Sequence, residues 1–224
     1  MNLLVFGATG LCGRAVMERA LELEEVQTVT AFVRNESRAR EMFSKFDHSS
    51  KILYQEGDIY KVEHVRNAVC KADAIISCIA SYTKPHTQMS ALAENVLDAL
   101  KYTNHKVFYI HFGMPRGYGP SGTLIENSIM KLVILTVCTK YSPATKDHIR
   151  VQNLLKESEN GKHENLDYSL FAAPSMVDKP PGQKDYFGKD GTVSEAVEKS
   201  RVWHFLSTHD VAYLMLSHLA MYCN

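Results

Sequence analysis

The chain has 224 residues, of which 45% are apolar and 22% charged, and its 25 Lys+Arg balance 25 Asp+Glu. This excludes a disordered chain, which pairs low hydrophobicity with high net charge, and a chain of this length buries about 70% of its extended surface without disulfide or metal staples. A formal charge of zero also lacks the basic surplus with which nucleic-acid and anionic-membrane binders neutralise phosphates, so neither partner is expected.

In chain order, the apolar run Leu3 to Phe6 reads as a strand, and Gly7-Ala8-Thr9-Gly10-Leu11-Cys12-Gly13 follows it. Cys12, Val16, Ala20 and Leu23 then share one face of a helix. Val26 to Val33 and Ile52 to Tyr54 are further strands, the latter leading to Gly57-Asp58. Ala74 to Ile79 reads as a buried strand, Leu92, Val96 and Leu100 mark the next helix, and Val107 to Phe112 is the fifth strand. A helix from about Thr145 to Ser158, a strand from Tyr168 to Phe171 and a helix from about Ser207 to Met221 complete the pattern. Ser207 and Asp210 make a capping box for that last helix. Continuous apolar strands alternating with helices predict a doubly wound, mostly parallel α/β sheet in a single domain over 1–224. Breaker-rich segments at about 113–144 and 173–200 fall where substrate-side loops of such a sheet belong.

The five cysteines include no C-x-x-C pair, which fits reduced thiols in a cytoplasmic protein. No apolar stretch is long enough to span a membrane and no signal-peptide pattern opens the chain, so Asn35-Glu36-Ser37 reads as a chance sequon. Nothing in the pattern asks for a second copy, and a monomer is expected.

Gly7-x-x-Gly10-x-x-Gly13 stands between a strand and a helix, the context that gives a glycine fingerprint meaning. It predicts a tight turn, close approach of backbone to a pyrophosphate, and a helix start whose free N–H groups face the anion. At the end of the second strand an acidic residue would accept from the ribose hydroxyls of NAD; this chain has Arg34 and Arg38 instead, which match a 2′-phosphate and so NADP(H). A solvated helix start is the plainer reading of the two arginines. Asp58 either receives the adenine amino group or caps the helix beginning near Val62.

Acid-base chemistry is sparse. The one Tyr-x-x-x-Lys match, Tyr102 to Lys106, lies before the fifth strand, and Tyr141 and Lys146 are five apart, on different helix faces. No nucleophile elbow or metal-ligand spacing occurs, so no metal is expected. His111 is the candidate catalytic group because it ends the fifth strand, with a packing histidine as the alternative. His148, His204, His209 and His218 read as hydrogen-bonded structural residues, and Arg201 as either a guide for an anionic substrate or a surface charge.

Taken together, Gly7-Ala8-Thr9-Gly10, Val33-Arg34, Gly57-Asp58-Ile59, Asp147-His148-Ile149-Arg150, Leu155-Lys156-Glu157-Ser158, Asp178-Lys179-Pro180, Ser200-Arg201-Val202 and His209-Asp210 resemble, in order, the biliverdin-IXβ reductase or NADPH-dependent flavin reductase family of NmrA-like atypical short-chain dehydrogenases. The resemblance implies a Rossmann fold, NADPH, and hydride delivery to a flat conjugated acceptor such as FMN, riboflavin or a linear tetrapyrrole. It implies cofactor contacts from Gly7, Thr9, Gly10, Leu11, Cys12 and Gly13, from Arg34 and Arg38, and from Asp58 and Ile59 at the adenine. Ile79, Ala80 and Ser81 would pass beneath the ribose, and Phe112, Pro174, Ser175 and Met176 would flank the nicotinamide. Phe112, Gly113, Met114 and Arg201 would meet the substrate. Two positions depart from the family: Phe112 stands where it has Ser, and Ser175 where it has His. A phenyl ring donates no proton, which bears on tetrapyrrole reduction more than on flavin reduction, where water can supply it. A catalytically silent NADP(H)-binding regulator is the competing class.

Overall fold

A computed structural model describes residues 1–46, 49–80, 87–113, 143–158, 163–172, 176–177 and 206–223. Its chain order is β1 (Asn2–Phe6), α1 (Leu11–Glu22), β2 (Thr28–Val33), α2 (Glu36–Met42), a 3-10 turn (Ser44–Phe46), β3 (Ile52–Glu56), α3 (Val62–Val69), β4 (Ala74–Ser77) and α4 (Gln88–Leu100). β5 (Val107–Gly113), α5 (Pro143–Ser158), β6 (Leu166–Ala172), β7 (Met176–Val177), β8 (Leu206–Ser207) and α6 (Thr208–Cys223) follow. Six strands form one sheet in the order β3-β2-β1-β4-β5-β6, every pair parallel, and β7 pairs with β8 separately. This is the Rossmann order, which reverses direction between β1 and β4 and opens a crevice there at the strands' carboxyl ends.

The apolar strand runs are explained by burial on both faces. Val5, Ile76 and Ile110 face α1 and α6, where they meet Val16, Ala20, Met215 and Leu219. Leu4, Ile75 and Tyr109, one residue out of phase, face α3, α4 and α5 through Val65, Val96 and Leu155. The elements expected from the sequence form, with shifts at the ends. β2 begins at Thr28, because Val26 and Gln27 make the turn hydrogen bonds to Leu23 and Met1. β3 runs on to Glu56, and α5 begins at Pro143, where a ring without N–H loses nothing in a first helical turn. The α6 capping box forms in both directions: the Asp210 amide donates to the Ser207 hydroxyl at 3.0 Å and the Ser207 amide to the Asp210 carboxylate at 3.2 Å.

A second cap is long-range. Thr87 precedes α4 without offering it a side-chain bond. The buried carboxylate of Asp147, on α5, instead accepts from the Met89 amide at 2.9 Å and the Ser90 amide at 3.1 Å. Two free amides and the positive end of the α4 dipole are thereby satisfied by a neighbouring helix, which fixes α5 against α4. Asp147→Ala strands both amides, and at about 1–3 kcal/mol for such a loss its unfolding free energy in urea should fall by about 2 kcal/mol with an unchanged denaturant slope. A fall under about 0.5 kcal/mol would contradict this role.

Candidate cofactor and substrate site

The turn after β1 is built from two close approaches. Gly7 takes φ +77, a left-handed conformation that suits only glycine at low cost, and a Cβ there would stand 2.9 Å from the Cys78 carbonyl carbon. Gly13 packs the first turn of α1 onto that same turn, so a Cβ there would lie 2.7 Å from the Gly7 carbonyl carbon and 2.8 Å from Ala8 Cα. The chain reverses through a Gly10 amide to Gly7 carbonyl bond of 3.0 Å, and α1 starts with no side-chain cap and no acidic residue in its first turn. The free amides and positive dipole end of a twelve-residue helix therefore point into the crevice between β1 and β4. This uncapped start, with bare backbone at Gly7, Gly10 and Gly13, fits a pyrophosphate. Thr9, Gly10 and Leu11 are exposed at its rim, while Cys12 is buried behind them.

Arg34 and Arg38 stand together at the next strand end, both exposed, and neither guanidinium pairs with a carboxylate among the described residues. Asn35 between them caps α2 by accepting from the Arg38 amide at 2.8 Å, and Glu56 takes the Glu36 amide at 2.8 Å. Those caps leave the two arginine side chains to solvent. Asp58 does not cap α3, whose N-cap is Lys61 with no side-chain bond; its carboxylate accepts from the Tyr60 amide at 3.0 Å and closes a local turn. Asp58 is therefore a turn residue and not the cap of α3. The turn is tied down by His64, whose Nδ1 accepts from the Asp58 amide at 3.1 Å, and by Asn95, which donates to the Ile59 carbonyl at 2.6 Å. Asp58 and Ile59 are half-buried at the third strand end, Ile79 is half-buried and Ala80 exposed after β4.

His111 lies away from the crevice surface. It is fully buried on the face of β5 shared with Tyr109, stacked against His148 of α5 at 5.3 Å between ring centres. Its Nε2 stands 3.2 Å from His148 Nδ1, and the Gln152 amide nitrogen 3.0 Å from His148 Nε2. With Gln152 donating, His148 carries its proton on Nδ1 and passes that donor to His111, whose own Nδ1 proton faces the Tyr109 oxygen 3.5 Å away. Burial, and next the electrostatic effect of the neighbouring His148, lower the His111 pKa to about 3, so it stays neutral and serves no general acid at neutral pH. Burial likewise pushes the Tyr109 phenol up, the neighbouring Ser77 hydroxyl partly offsetting it. The histidine spacing of 37 residues gives sequence reasoning no sign of this pair, which only the packing of α5 over Gly113 brings together.

Phe112, on the opposite face, is 8% exposed and belongs to the core layer with Ile110 and Met215. Met176 is part of β7, paired to Leu206. Ser81, Met114, Tyr141, Pro174, Ser175, Arg201 and His204, with most of the two substrate-side loops, lie outside the described residues. A surface hollow of about 120 Å³ beside Leu11, Arg14, Thr208 and His209 adjoins the start of α1. A larger one of about 420 Å³ lies at the opposite, amino-terminal end of β5 and β6, among Leu100, Thr103 and Asn165, remote from the glycine turn. Among the described residues no cluster of three or more His, Cys, Asp or Glu is arranged to hold a metal, and no helix is long and apolar enough to cross a membrane.

The chain belongs to a family described as NAD(P)H-binding, whose sequence profile matches residues 7–220. No curated protein sequence matches it. Among solved structures it is similar to a short-chain dehydrogenase/reductase of Veillonella parvula in complex with NADP, with TM-score 0.66 and 15% identity over 98% of this chain and 87% of that one. It is also similar to Pen from Bacillus thuringiensis, with TM-score 0.66 and 14% identity over 98% of this chain and 64% of that one. A third is the NADPH-dependent quinone oxidoreductase QOR2 of Escherichia coli, complexed with NADPH, at TM-score 0.51 and 18% identity over 76% of this chain and 48% of that one. At these identities the likeness is one of fold.

The buried His111 gives a pH signature. The unfolded chain binds its proton near pH 6.5 and the folded chain only near 3, so the unfolded state holds more protons in between and stability falls as pH drops through that window. From pH 6.5 to 5 the urea-unfolding free energy should lose up to about 1.4 kcal/mol per pH unit from this group. His111→Asn, which keeps an acceptor for His148, should flatten that slope; an equal slope in the variant would contradict the assignment.

Proposed function

For this member of the NAD(P)H-binding family, we propose an NADPH-dependent reductase that transfers hydride to a flat conjugated acceptor, with flavins such as FMN and riboflavin ahead of a biliverdin isomer. The observation that carries the reading is the uncapped α1 start at the strand-order reversal, flanked by two arginines without carboxylate partners among the described residues. When bound, NADPH supplies the hydride at its nicotinamide ring. The α1 amides hold the pyrophosphate, and Arg34 and Arg38 bind the 2′-phosphate through charge-assisted bonds that NADH cannot make. The third strand end, at Asp58 and Ile59, would receive the adenine, and Ile79 and Ala80 would border the ribose.

The described residues at the end of β5 support the acceptor class. At the end of β5, His111 is neutral and enclosed, Phe112 is apolar, and Gly113 has no side chain. None of these three described residues donates a proton at neutral pH, which supports an acceptor for which holding two planar rings together matters most and water can provide the proton. Flavins and quinones tolerate this; a carbonyl reduced to an alcohol does not. The Escherichia coli neighbour, a quinone oxidoreductase that takes NADPH, supports the same acceptor class.

The test follows NADPH oxidation at 340 nm with FMN, riboflavin and a biliverdin isomer. Flavin turnover should exceed biliverdin turnover by at least about tenfold, and Arg34→Ala and Arg38→Ala should each weaken NADPH binding by about 10–100-fold while leaving NADH unchanged, at about 1.5–3 kcal/mol per charged hydrogen bond. Tight NADPH binding with no turnover on any acceptor would overturn the reductase reading in favour of a silent regulator.

A further inference from the structure

Two cysteines far apart in sequence meet inside the glycine turn. Cys12 is the second residue of α1, and Cys78 follows β4 on the other side of the crevice. Their sulfurs are 3.7 Å apart, with the Cys78 thiol donating to the Cys12 sulfur. The same Cys78 carbonyl is the surface on which Gly7 rests, and the Cys78 amide donates to the Phe6 carbonyl at 2.9 Å, so both residues are built into the turn itself. Both are free thiols, Cys12 in a buried residue and Cys78 in a half-buried one. A disulfide needs its sulfurs about 2.05 Å apart, so closure requires about 1.7 Å of approach.

We propose that Cys12 and Cys78 form an oxidant-responsive modification site, a dithiol that closes to a disulfide on reaction with a hydroperoxide and thereby weakens binding of the dinucleotide. Cys12 is the sulfur attacked first, because it accepts the hydrogen bond and sits at a helix start that favours negative charge. The Cys12 sulfur attacks the terminal peroxide oxygen as its thiol releases its proton: the S–O bond forms, the O–O bond breaks, and the departing alkoxide or hydroxide takes up that proton. Cys78 then attacks the sulfur of the resulting sulfenic acid, the S–S bond forms, the S–O bond breaks, and hydroxide leaves as water with the Cys78 proton. Two thiols and one hydroperoxide give one disulfide, one water and one alcohol or second water. The bond between Cys12 and its partner on Cys78, with burial behind it, keeps the Cys78 thiol up, so it reacts as the resolving residue.

The consequence follows from position. Moving Cys12 toward Cys78 rotates the amides of Leu11, Cys12 and Gly13, the groups that the cofactor reading assigns to the pyrophosphate, and Gly13 has no room to follow because it is already packed on Gly7. A bound dinucleotide opposes closure by the same free energy by which closure opposes binding. The inference rests on the cofactor reading above, and the titration of reduced protein tests that reading separately.

The experiment treats the full chain with hydrogen peroxide, with and without saturating NADPH, and maps thiols by peptide mass spectrometry alongside a fluorescence titration of NADPH before oxidation, after it and after dithiothreitol. The expected result is a Cys12–Cys78 linked peptide, at least tenfold weaker NADPH binding that dithiothreitol reverses, and at least tenfold slower linkage with NADPH present. Cys78→Ser, compared with itself before and after peroxide, should lose the tenfold difference, and a variant lacking Cys70, Cys138 and Cys223 should keep it. A linked pair with unchanged NADPH affinity, oxidation of Cys12 without linkage, or linkage to another cysteine overturns the proposal. Failure of the reduced protein to bind NADPH overturns the cofactor reading instead.

Discussion

The contact between the backbone of Gly13 and the backbone of Gly7 is the constraint from which the site follows. It seats the first turn of α1 directly on the turn that leaves β1, at a separation no side chain could occupy. Because β1 is central in the sheet and its neighbour β4 lies across the reversal of strand order, that one contact aims the positive end of α1 into the crevice rather than at solvent. The amides of the turn are then available without any capping side chain, and the rest of the fold serves to keep the strand ends level with them.

Rigidity around this crevice comes from paired polar groups placed where apolar packing would otherwise leave the helices free to slide. Asp147 joins α5 to α4 through the first-turn amides of α4. The Gln152, His148, His111 and Tyr109 chain joins the same helix to β5. Each polar group in such a buried chain satisfies the next, and removal of one exposes the others' desolvation penalty. The neutral state of His111 is a result of that enclosure, which makes it a spacer between α5 and β5.

The sequence is most legible where its signal is local. The glycine spacing, the apolar strand runs and the Ser207 and Asp210 box are each set by residues within one turn or one strand, and the corresponding elements form. Long-range pairings leave no such trace. Nothing in the string connects Asp147 to Met89, Cys12 to Cys78, or His111 to His148, because their proximity is decided by how helices pack across the sheet. Asp58 shows the intermediate case: an acidic residue just before a helix reads equally as cap or ligand, and only the bond to Tyr60 tells that it makes a turn of its own.

A crevice that holds the nicotinamide cofactor in one orientation against a stacked acceptor passes hydride directly from one ring to the other, and from one face of the nicotinamide only. Stereospecific labelling reads this out: riboflavin is turned over with NADPH carrying deuterium at either the R or the S position of nicotinamide C4. Loss of deuterium from NADPH, with a primary isotope effect, is expected for one diastereomer alone. Equal loss from both, or no NADPH consumption, would contradict a fixed cofactor stacked on its acceptor.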